Sequence, residues 1–213
     1  FLECDDLTEV TIPEGFIILG PDAFAYCSSL RKINLPASLA FIVMNPFYEC
    51  PALAEIVIDA NNQNYLSENN VIFNKDKTEL VVYPAGKTDA EYTIPRSVTA
   101  ISDYAFYSAA YLQKVNIPSG VTSIGSSAFA YSGLTAVSLP DGVDTLFDET
   151  FYNCTDLVSV RLPKSLSYIG FNCFTNCYSL VSIEIDEDNE CYSTEDDILF
   201  SKFGDELILY PAG

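Results

Sequence analysis

The sequence contains no histidine and no tryptophan among its 213 residues. Without histidine the chain has neither a histidine-based catalytic triad nor imidazole ligands for a metal, and it lacks the usual proton-transfer group near neutral pH. The hydroxyl and thiol nucleophiles that remain would have only carboxylates and a few lysines as bases. We therefore predict that the protein is not an enzyme and that it uses no cofactor.

Basic residues are also scarce, with 10 Lys and Arg against 30 Asp and Glu and a formal net charge of −20. Such a charge repels phosphate backbones and anionic lipid headgroups, which argues against nucleic-acid binding and against attachment to membrane surfaces. No apolar run approaches the ~18 residues of a membrane-spanning helix, so we expect no membrane insertion. The chain opens with Phe-Leu-Glu-Cys, and we expect any export signal to lie outside the residues given.

What the sequence does have is repetition. Residues 1–86 and 128–213 align without a gap at an offset of 127 residues, and within each stretch a shorter unit returns every 23 residues. Periods of about 20 to 50 residues are typical of solenoids, in which each unit buries its apolar face against its neighbours. We predict one continuous solenoid over residues 1–213, as a fragment of a longer protein.

Each unit combines a strand pattern with a corner. In the unit that begins at Cys27, the polar Lys32 and Asn34 alternate with the apolar Ile33 and Leu35, and Pro36 follows. The alternation predicts a short strand, and the proline ends it because proline has no N–H to donate. An Ala-Phe pair comes later in the unit and predicts a tight corner whose ring fills the interior. We expect these rings to stack along the solenoid as a phenylalanine column, made of Phe24, Phe47, Phe106, Phe129, Phe151 and Phe174.

One column of the repeat holds five of the seven cysteines, which are Cys4, Cys27, Cys50, Cys154 and Cys177. Ala109 and Tyr131 are assigned to the same column, which therefore indicates packing rather than a bonding requirement. Neighbouring turns lie about 4.8 Å apart with parallel side chains, so their Cβ atoms stay farther apart than the ~3.8 Å of a disulfide. We predict buried thiols that act as small hydrophobic side chains.

The repeated pattern, roughly Cys-x-x-Leu-x-x-Val-x-Ile-Pro-x-x-Val-x-x-Ile-Gly-x-x-Ala-Phe, covers nearly the whole chain and resembles the BspA-like leucine-rich repeat family. The resemblance implies a mainly β repeat solenoid, a right-handed leucine-rich repeat superhelix with a parallel sheet on its concave side. It also implies an extracellular or cell-surface location, since members are typically secreted or surface proteins described as adhesion or host-interaction proteins. It supplies no catalytic residues to transfer to this chain.

Two inserts, near 59–86 and 186–213, interrupt the 23-residue rhythm and correspond to each other at the same offset of 127. In the first, the apolar runs 71–73 and 79–83 flank a polar turn and predict a β-hairpin, and the second insert repeats the pattern. The polar stretch 61–70 before the first hairpin is predicted to be a surface loop.

Acidic residues crowd the second insert, around Asp186 to Glu190 and Glu195 to Asp197. Carboxylate oxygens are the ligands that calcium prefers, so a calcium site is one interpretation of this segment. The first insert replaces most of these acids by amides or alanine, which favours the other interpretation, a solvated acidic loop.

The outward residues of the strands predict a working surface on the concave sheet, where they form two rows. Charges of opposite sign stand next to each other in these rows, as at Lys32 and Glu55, so cross-strand pairing explains part of the pattern without a ligand. From the two rows we predict the partner-binding residues Lys32, Asn34, Glu55, Thr93, Lys114, Asn116, Ser138 and Arg161.

The sequence leaves three functions open. The leading prediction is a monomeric, non-enzymatic interaction or adhesion module that binds a protein or glycan partner through the repeat surface. The first alternative is a structural spacer in a larger surface protein. The second is a calcium-dependent glycan-binding or glycan-active protein, because a pair of catalytic carboxylates need not be close in sequence.

Overall fold

In the computed structural model, which describes residues 1–212, the chain winds into a β-solenoid of about eight turns. Twenty short strands form the regular structure, and no helix occurs in the part of the chain that is described. A segment that could cross a lipid bilayer as a long apolar helix is therefore absent from residues 1–212. The predicted repeat solenoid is confirmed, while Gly213, at the end of the second predicted insert, lies outside the described residues.

The first strand of each unit pairs in parallel with its neighbours, because each turn places the same alternating sequence beside the last. One sheet contains β1 (Glu9–Thr11), β3 (Lys32–Leu35) and β5 (Glu55–Ile58). A second contains β9 (Glu91–Thr93), β11 (Lys114–Asn116), β13 (Ala136–Ser138), β15 (Ser159–Leu162) and β17 (Ser182–Ile185). The predicted parallel sheet is present, but the first insert divides it into two.

A second row of two-residue strands follows the proline-containing turn of each unit. Its members are β2 (Ile18–Leu19), β4 (Phe41–Ile42), β10 (Ala100–Ile101), β12 (Ser123–Ile124), β14 (Thr145–Leu146) and β16 (Tyr168–Ile169). They pair in parallel as β2 with β4, β10 with β12, and β14 with β16.

Each insert is a three-stranded antiparallel meander, which corrects the expectation of a hairpin preceded by a loop. The first contains β6 (Tyr65–Glu68), β7 (Val71–Asn74) and β8 (Glu79–Val82), and the second contains β18 (Tyr192–Glu195), β19 (Ile198–Ser201) and β20 (Leu207–Leu209). Strand β6 lies inside the predicted loop 61–70. Asn69 and Asn70 take the left-handed backbone (φ 51° and 67°), which is how a two-residue turn closes an antiparallel pair.

The first insert separates two hydrophobic cores. Strand β7 is buried on both faces: Ile72 packs into the core formed by residues 19–58, whereas Val71 and Phe73 pack into the core of the later turns. Strand β8 also pairs in parallel with β10, with Leu80 opposite Ile101. The insert is therefore an internal partition of the solenoid rather than an excursion from its surface.

The predicted stacking of the phenylalanine column is confirmed within each core, but the first insert divides the column, and no stacked pair joins Phe47 to Phe106 among the described residues. Successive rings stack with their centroids 6.0 Å apart for Phe24 and Phe47, 4.9 Å for Phe106 and Phe129, and 5.4 Å along the pairs that continue to Phe174. Offset stacking of this kind adds about 0.5–1.5 kcal/mol per pair to the burial of the rings.

The cysteine column differs from its prediction at one turn. Ser132, not Tyr131, occupies the column, with its Oγ 3.4 Å from the Sγ of Cys154. The unit is one residue short after Ser132, and Gly133 fills the tight connection, where an added Cβ would lie 2.9 Å from the carbonyl carbon of Ala110. The predicted assignment of Tyr131 to the column is therefore wrong by one residue, because it counted back from Leu134 in a unit that is one residue short.

Candidate functional site

The concave rows follow the predicted register. Glu9, Lys32 and Glu55 are direct neighbours across β1, β3 and β5, as Glu91 and Lys114 are across β9 and β11. The eight predicted partner-binding residues do not belong to one sheet, however. Lys32, Asn34 and Glu55 lie on the first sheet, and Thr93, Lys114, Asn116, Ser138 and Arg161 lie on the second.

On the first sheet, the polar residues satisfy one another. The Nζ of Lys32 lies 2.9 Å from a carboxylate oxygen of Glu55, and this hydrogen-bonded pair raises the pKa of Lys32. Asn34 donates from Nδ2 to the hydroxyl of Thr11 at 3.0 Å. Cross-strand pairs of this type stabilise a sheet modestly. They leave few polar side-chain atoms without a partner that a ligand could bind.

On the second sheet, the Glu91 carboxylate accepts hydrogen bonds from two neighbouring side chains. It accepts a hydrogen bond from Lys114 Nζ at 2.8 Å and one from Asn116 Nδ2 at 2.8 Å, which together lower its pKa. Asn116 also donates to the hydroxyl of Thr93 at 3.0 Å. Thr93, Lys114 and Asn116 are thus joined in one exposed network at the edge of the predicted site.

Beyond this network, the side chains become short and the concave sheet is hollow. Ala136, Ser138 and Ser159 form the floor of a depression of about 290 Å³, and Lys114, Asn116, Arg161 and Glu184 stand around it, with Glu184 opposite Arg161 across β15 and β17. Within residues 1–212 no carboxylate lies within 4.0 Å of the Arg161 guanidinium. We call this the concave depression; it brings together four of the eight predicted residues, Lys114, Asn116, Ser138 and Arg161.

The acidic second insert uses its polar residues for structure. Asn189 is fully buried and donates from Nδ2 to the carbonyl of Leu166 at 2.8 Å, and its Oδ1 accepts from the backbone of Tyr192 at 2.7 Å. Asp186 accepts the backbone N–H of Asp188 at 3.0 Å. Across the described range 1–212, no group of three or more Asp, Glu or Cys side chains has the arrangement of a metal site.

The column cysteines are poor nucleophiles. The thiols of Cys50 and Cys154 donate to the backbone carbonyls of Phe24 and Phe129, at 2.9 and 3.0 Å. Burial raises the pKa of Cys50 to about 12 and that of Cys154 to about 11. A thiol reacts as its thiolate, so these groups are held in their unreactive form. The predicted burial is confirmed for Cys27, Cys50, Cys154 and Cys177, whereas Cys4, in the first unit, is only partly buried. The buried thiols also serve as weak hydrogen-bond donors.

A second cavity, which the sequence analysis missed, lies on the outer turns that follow the phenylalanine column. Its volume is about 590 Å³, and six tyrosines line it, namely Tyr26, Tyr48, Tyr104, Tyr107, Tyr131 and Tyr152. We call it the tyrosine groove. Along it the ring centroids of neighbouring turns are 4.6 to 5.6 Å apart. The signal available in the sequence was a tyrosine one or two positions after the column phenylalanine in five units.

The first insert creates the tyrosine groove by omitting one outer turn. Asn45 donates from Nδ2 to the carbonyl of Tyr104 at 3.0 Å, and the hydroxyl of Tyr107 donates to that of Tyr48 at 2.8 Å. These partners are 59 residues apart in sequence, whereas regular neighbours are separated by about one unit. The turns on either side of the insert therefore come into direct contact.

The comparisons with known proteins agree with this architecture. The family model described as BspA type Leucine rich repeat region matches the chain in six copies, over residues 1–85 and 87–196. No curated protein sequence matches the chain.

Several solved structures are similar. A leucine-rich repeat protein from Eubacterium ventriosum ATCC 27560 is 31% identical with a TM-score of 0.64, and the match covers 84% of this chain and 42% of that one. The pneumococcal vaccine antigen PcpA is 26% identical with a TM-score of 0.77, covering 87% and 52%. A leucine rich cell surface protein from Faecalibacterium prausnitzii A2-165 is 29% identical with a TM-score of 0.63, covering 86% and 61%. The chain spans about half the length of these solved chains.

Proposed function

Because this chain belongs to the BspA-type leucine-rich repeat family, we propose that it is a non-enzymatic module of a cell-surface or secreted protein and binds a protein or glycan partner. Similarity to a leucine rich cell surface protein and to a vaccine antigen supports the surface location. The raised pKa values of the buried thiols support a role without covalent chemistry.

The observation that carries this proposal is the concave depression. Its floor of short side chains is held on paired strands, so the surrounding Lys114, Asn116, Arg161 and Glu184 are presented on a rigid frame. Arg161 has a planar guanidinium with several donors and no carboxylate within 4.0 Å among the described residues. A partner that supplies acceptors, such as a carboxylate or sugar hydroxyls, would satisfy it.

The proposal is tested by filling the concave depression. Ser138→Trp places a large ring on its floor, whereas Thr11→Trp places the same ring at the equivalent position of the first sheet, away from the depression. Both variants and the wild type are assayed on a glycan array and against purified extracellular proteins. We expect saturable binding by the wild type and by Thr11→Trp, and its loss in Ser138→Trp.

Two results would count against the proposal. If the wild type shows no saturable partner in either assay, the structural spacer is the better account. If binding is present but needs calcium, and a chelator lowers the melting temperature, the calcium-dependent alternative replaces it.

A further inference from the structure

The tyrosine groove is a second surface, separate from the concave depression, and its chemistry differs. We propose that it binds a short extended peptide segment of a protein partner through arginine side chains.

Two of the six rings are exposed, whereas Tyr107 is buried. Tyr26 is 47% exposed and Tyr131 is 37% exposed, although both belong to a row of interacting aromatic side chains. Successive rings are inclined rather than parallel, at 72° for Tyr26 with Tyr48 and 48° for Tyr107 with Tyr131. Faces and edges therefore alternate along the groove, and an exposed tyrosine face attracts a cation placed over it.

Three of these tyrosines occupy strained backbone positions. Tyr26, Tyr104 and Tyr131 have φ of 58°, 56° and 59°, a left-handed conformation that a bulky side chain adopts at a cost of about 1–2 kcal/mol. The same backbone recurs at the equivalent positions of other units, where Glu49, Ser108 and Asn153 stand. The repeat therefore fixes this conformation, and tyrosine at these positions places its ring in the groove.

The charged side chains that line the groove and the cavity next to it are all acidic. Asp22 and Glu149 line the tyrosine groove, and an adjoining cavity of about 450 Å³ shares Tyr26 and adds Glu3, Asp5 and Glu49. No lysine or arginine is among the described residues that line either cavity. Aromatic faces next to carboxylates that form no salt bridge among the described residues complement a cation, and the chain's formal net charge of −20 increases the attraction.

The dimensions favour a peptide over a single small cation. The groove runs across five outer turns, from Tyr26 to Tyr152, with ring spacings of 4.6 to 5.6 Å. An extended chain advances about 3.3 Å per residue, so about six residues would span the row. Arginine suits such a site better than lysine, because its planar guanidinium stacks on an aromatic ring while it bonds a carboxylate.

The test measures, by calorimetry, the binding of a blocked hexapeptide of alternating arginine and glycine. Hexapeptides with lysine or glutamate in place of arginine, free choline and maltohexaose are measured for comparison. Tyr26→Asn/Tyr131→Asn removes the two exposed rings and keeps residues suited to the backbone, and Glu149→Gln removes one charge without changing shape. Tyr111→Asn is the control, since Tyr111 is 54% exposed and does not line the groove. Circular dichroism checks that each variant is folded.

We expect saturable binding of the arginine peptide, weaker binding of the lysine peptide and none of the glutamate peptide. The double tyrosine variant should bind the arginine peptide roughly tenfold more weakly, Glu149→Gln should also weaken it, and Tyr111→Asn should not. Equal binding by the wild type and the double variant would show non-specific attraction to an acidic surface and overturn the proposal. Preference for choline or maltohexaose, or no binding of the arginine peptide, would also overturn it.

Discussion

Tyr83 stacks on Phe106, with ring centroids 5.0 Å apart and planes inclined by 26°. A tyrosine from the first insert therefore continues the column that phenylalanine forms in the regular turns. Its backbone N–H also donates to the carbonyl of Ala105 at 2.7 Å. The ring fits the column, but its hydroxyl is buried without a hydrogen-bond partner among the described residues. Burial accordingly raises the pKa of Tyr83 to about 12.

Tyr83→Phe should stabilise the protein. A buried hydroxyl without a partner costs about 1–3 kcal/mol in lost hydration, and phenylalanine keeps the stacked ring while removing that group. We expect the free energy of unfolding, measured by urea denaturation, to rise by about 1 kcal/mol. Tyr107→Phe is the matched control, because the buried Tyr107 hydroxyl donates to Tyr48 at 2.8 Å and its removal should be destabilising. A loss of stability in Tyr83→Phe would show that its hydroxyl does have a partner in solution.

The two inserts offer a second matched pair, Leu80 and Leu207, which correspond at the 127-residue offset. Leu80 is fully buried against the later core, whereas Leu207 is 58% exposed. Leu80→Ala should lower the free energy of unfolding by about 2–5 kcal/mol, because it leaves a cavity. Leu207→Ala should cost less than about 1 kcal/mol. Equal losses in urea denaturation would contradict the partition role that we assign to the first insert.

The periodicity was sufficient to predict the regular turns. Alternation of apolar and polar residues sets which side chains point outward, so the neighbours Glu9, Lys32 and Glu55 could be named from sequence. The phenylalanine column follows from the same period. Strand β6 could not be predicted in this way, because its residues Tyr-Leu-Ser-Glu do not alternate and its half-buried positions depend on contacts with the rest of the meander.

The tyrosine groove depends on contacts that the repeat does not encode. Tyr48 and Tyr107 are brought together because the insert omits one outer turn, and the period alone places them more than one unit apart. The predicted concave residues, by contrast, were located correctly in their rows, but the depression among them arises from the short side chains of Ala136 and Ser159. A polar pattern identifies outward residues without showing where the surface is hollow.

Gly125→Ala should be strongly destabilising. An added Cβ at Gly125 would lie 2.8 Å from the Cα of Asp103 and closer still to its backbone nitrogen, so the turns would have to separate. The Asp103 carboxylate also accepts the backbone N–H of Ser126 at 2.8 Å, and that bond would be disturbed. Gly20 holds the equivalent position in an earlier unit, but there an added Cβ would meet nothing within 4 Å.

For Gly125→Ala we expect a loss of about 2–4 kcal/mol in the free energy of unfolding, of the size seen for core strain and overpacking. Gly20→Ala should change stability by about 0.5 kcal/mol or less. Urea denaturation of both variants measures the difference. Similar values for the two would mean that neighbouring turns are not packed as closely as the structure shows.

The buried thiols predict how stability depends on alkaline pH. Burial raises the pKa of Cys50 from 9.0 to about 12, so above pH 9 the unfolded chain loses a proton that the folded chain keeps. The stability that this thiol contributes is complete below pH 9 and is lost as the pH rises toward 12. The loss amounts to about 1.4 kcal/mol per pH unit for each such thiol.

Cys50→Ala should remove one such contribution, and alanine already occupies the column at Ala109. Between pH 8.5 and 10.5, we therefore expect the free energy of unfolding of Cys50→Ala to fall less steeply than that of the wild type. If Cys50→Ala and the wild type had the same slope, the Cys50 thiol would have to ionise as readily in the folded chain as in the unfolded one, which its burial and its hydrogen bond to Phe24 oppose.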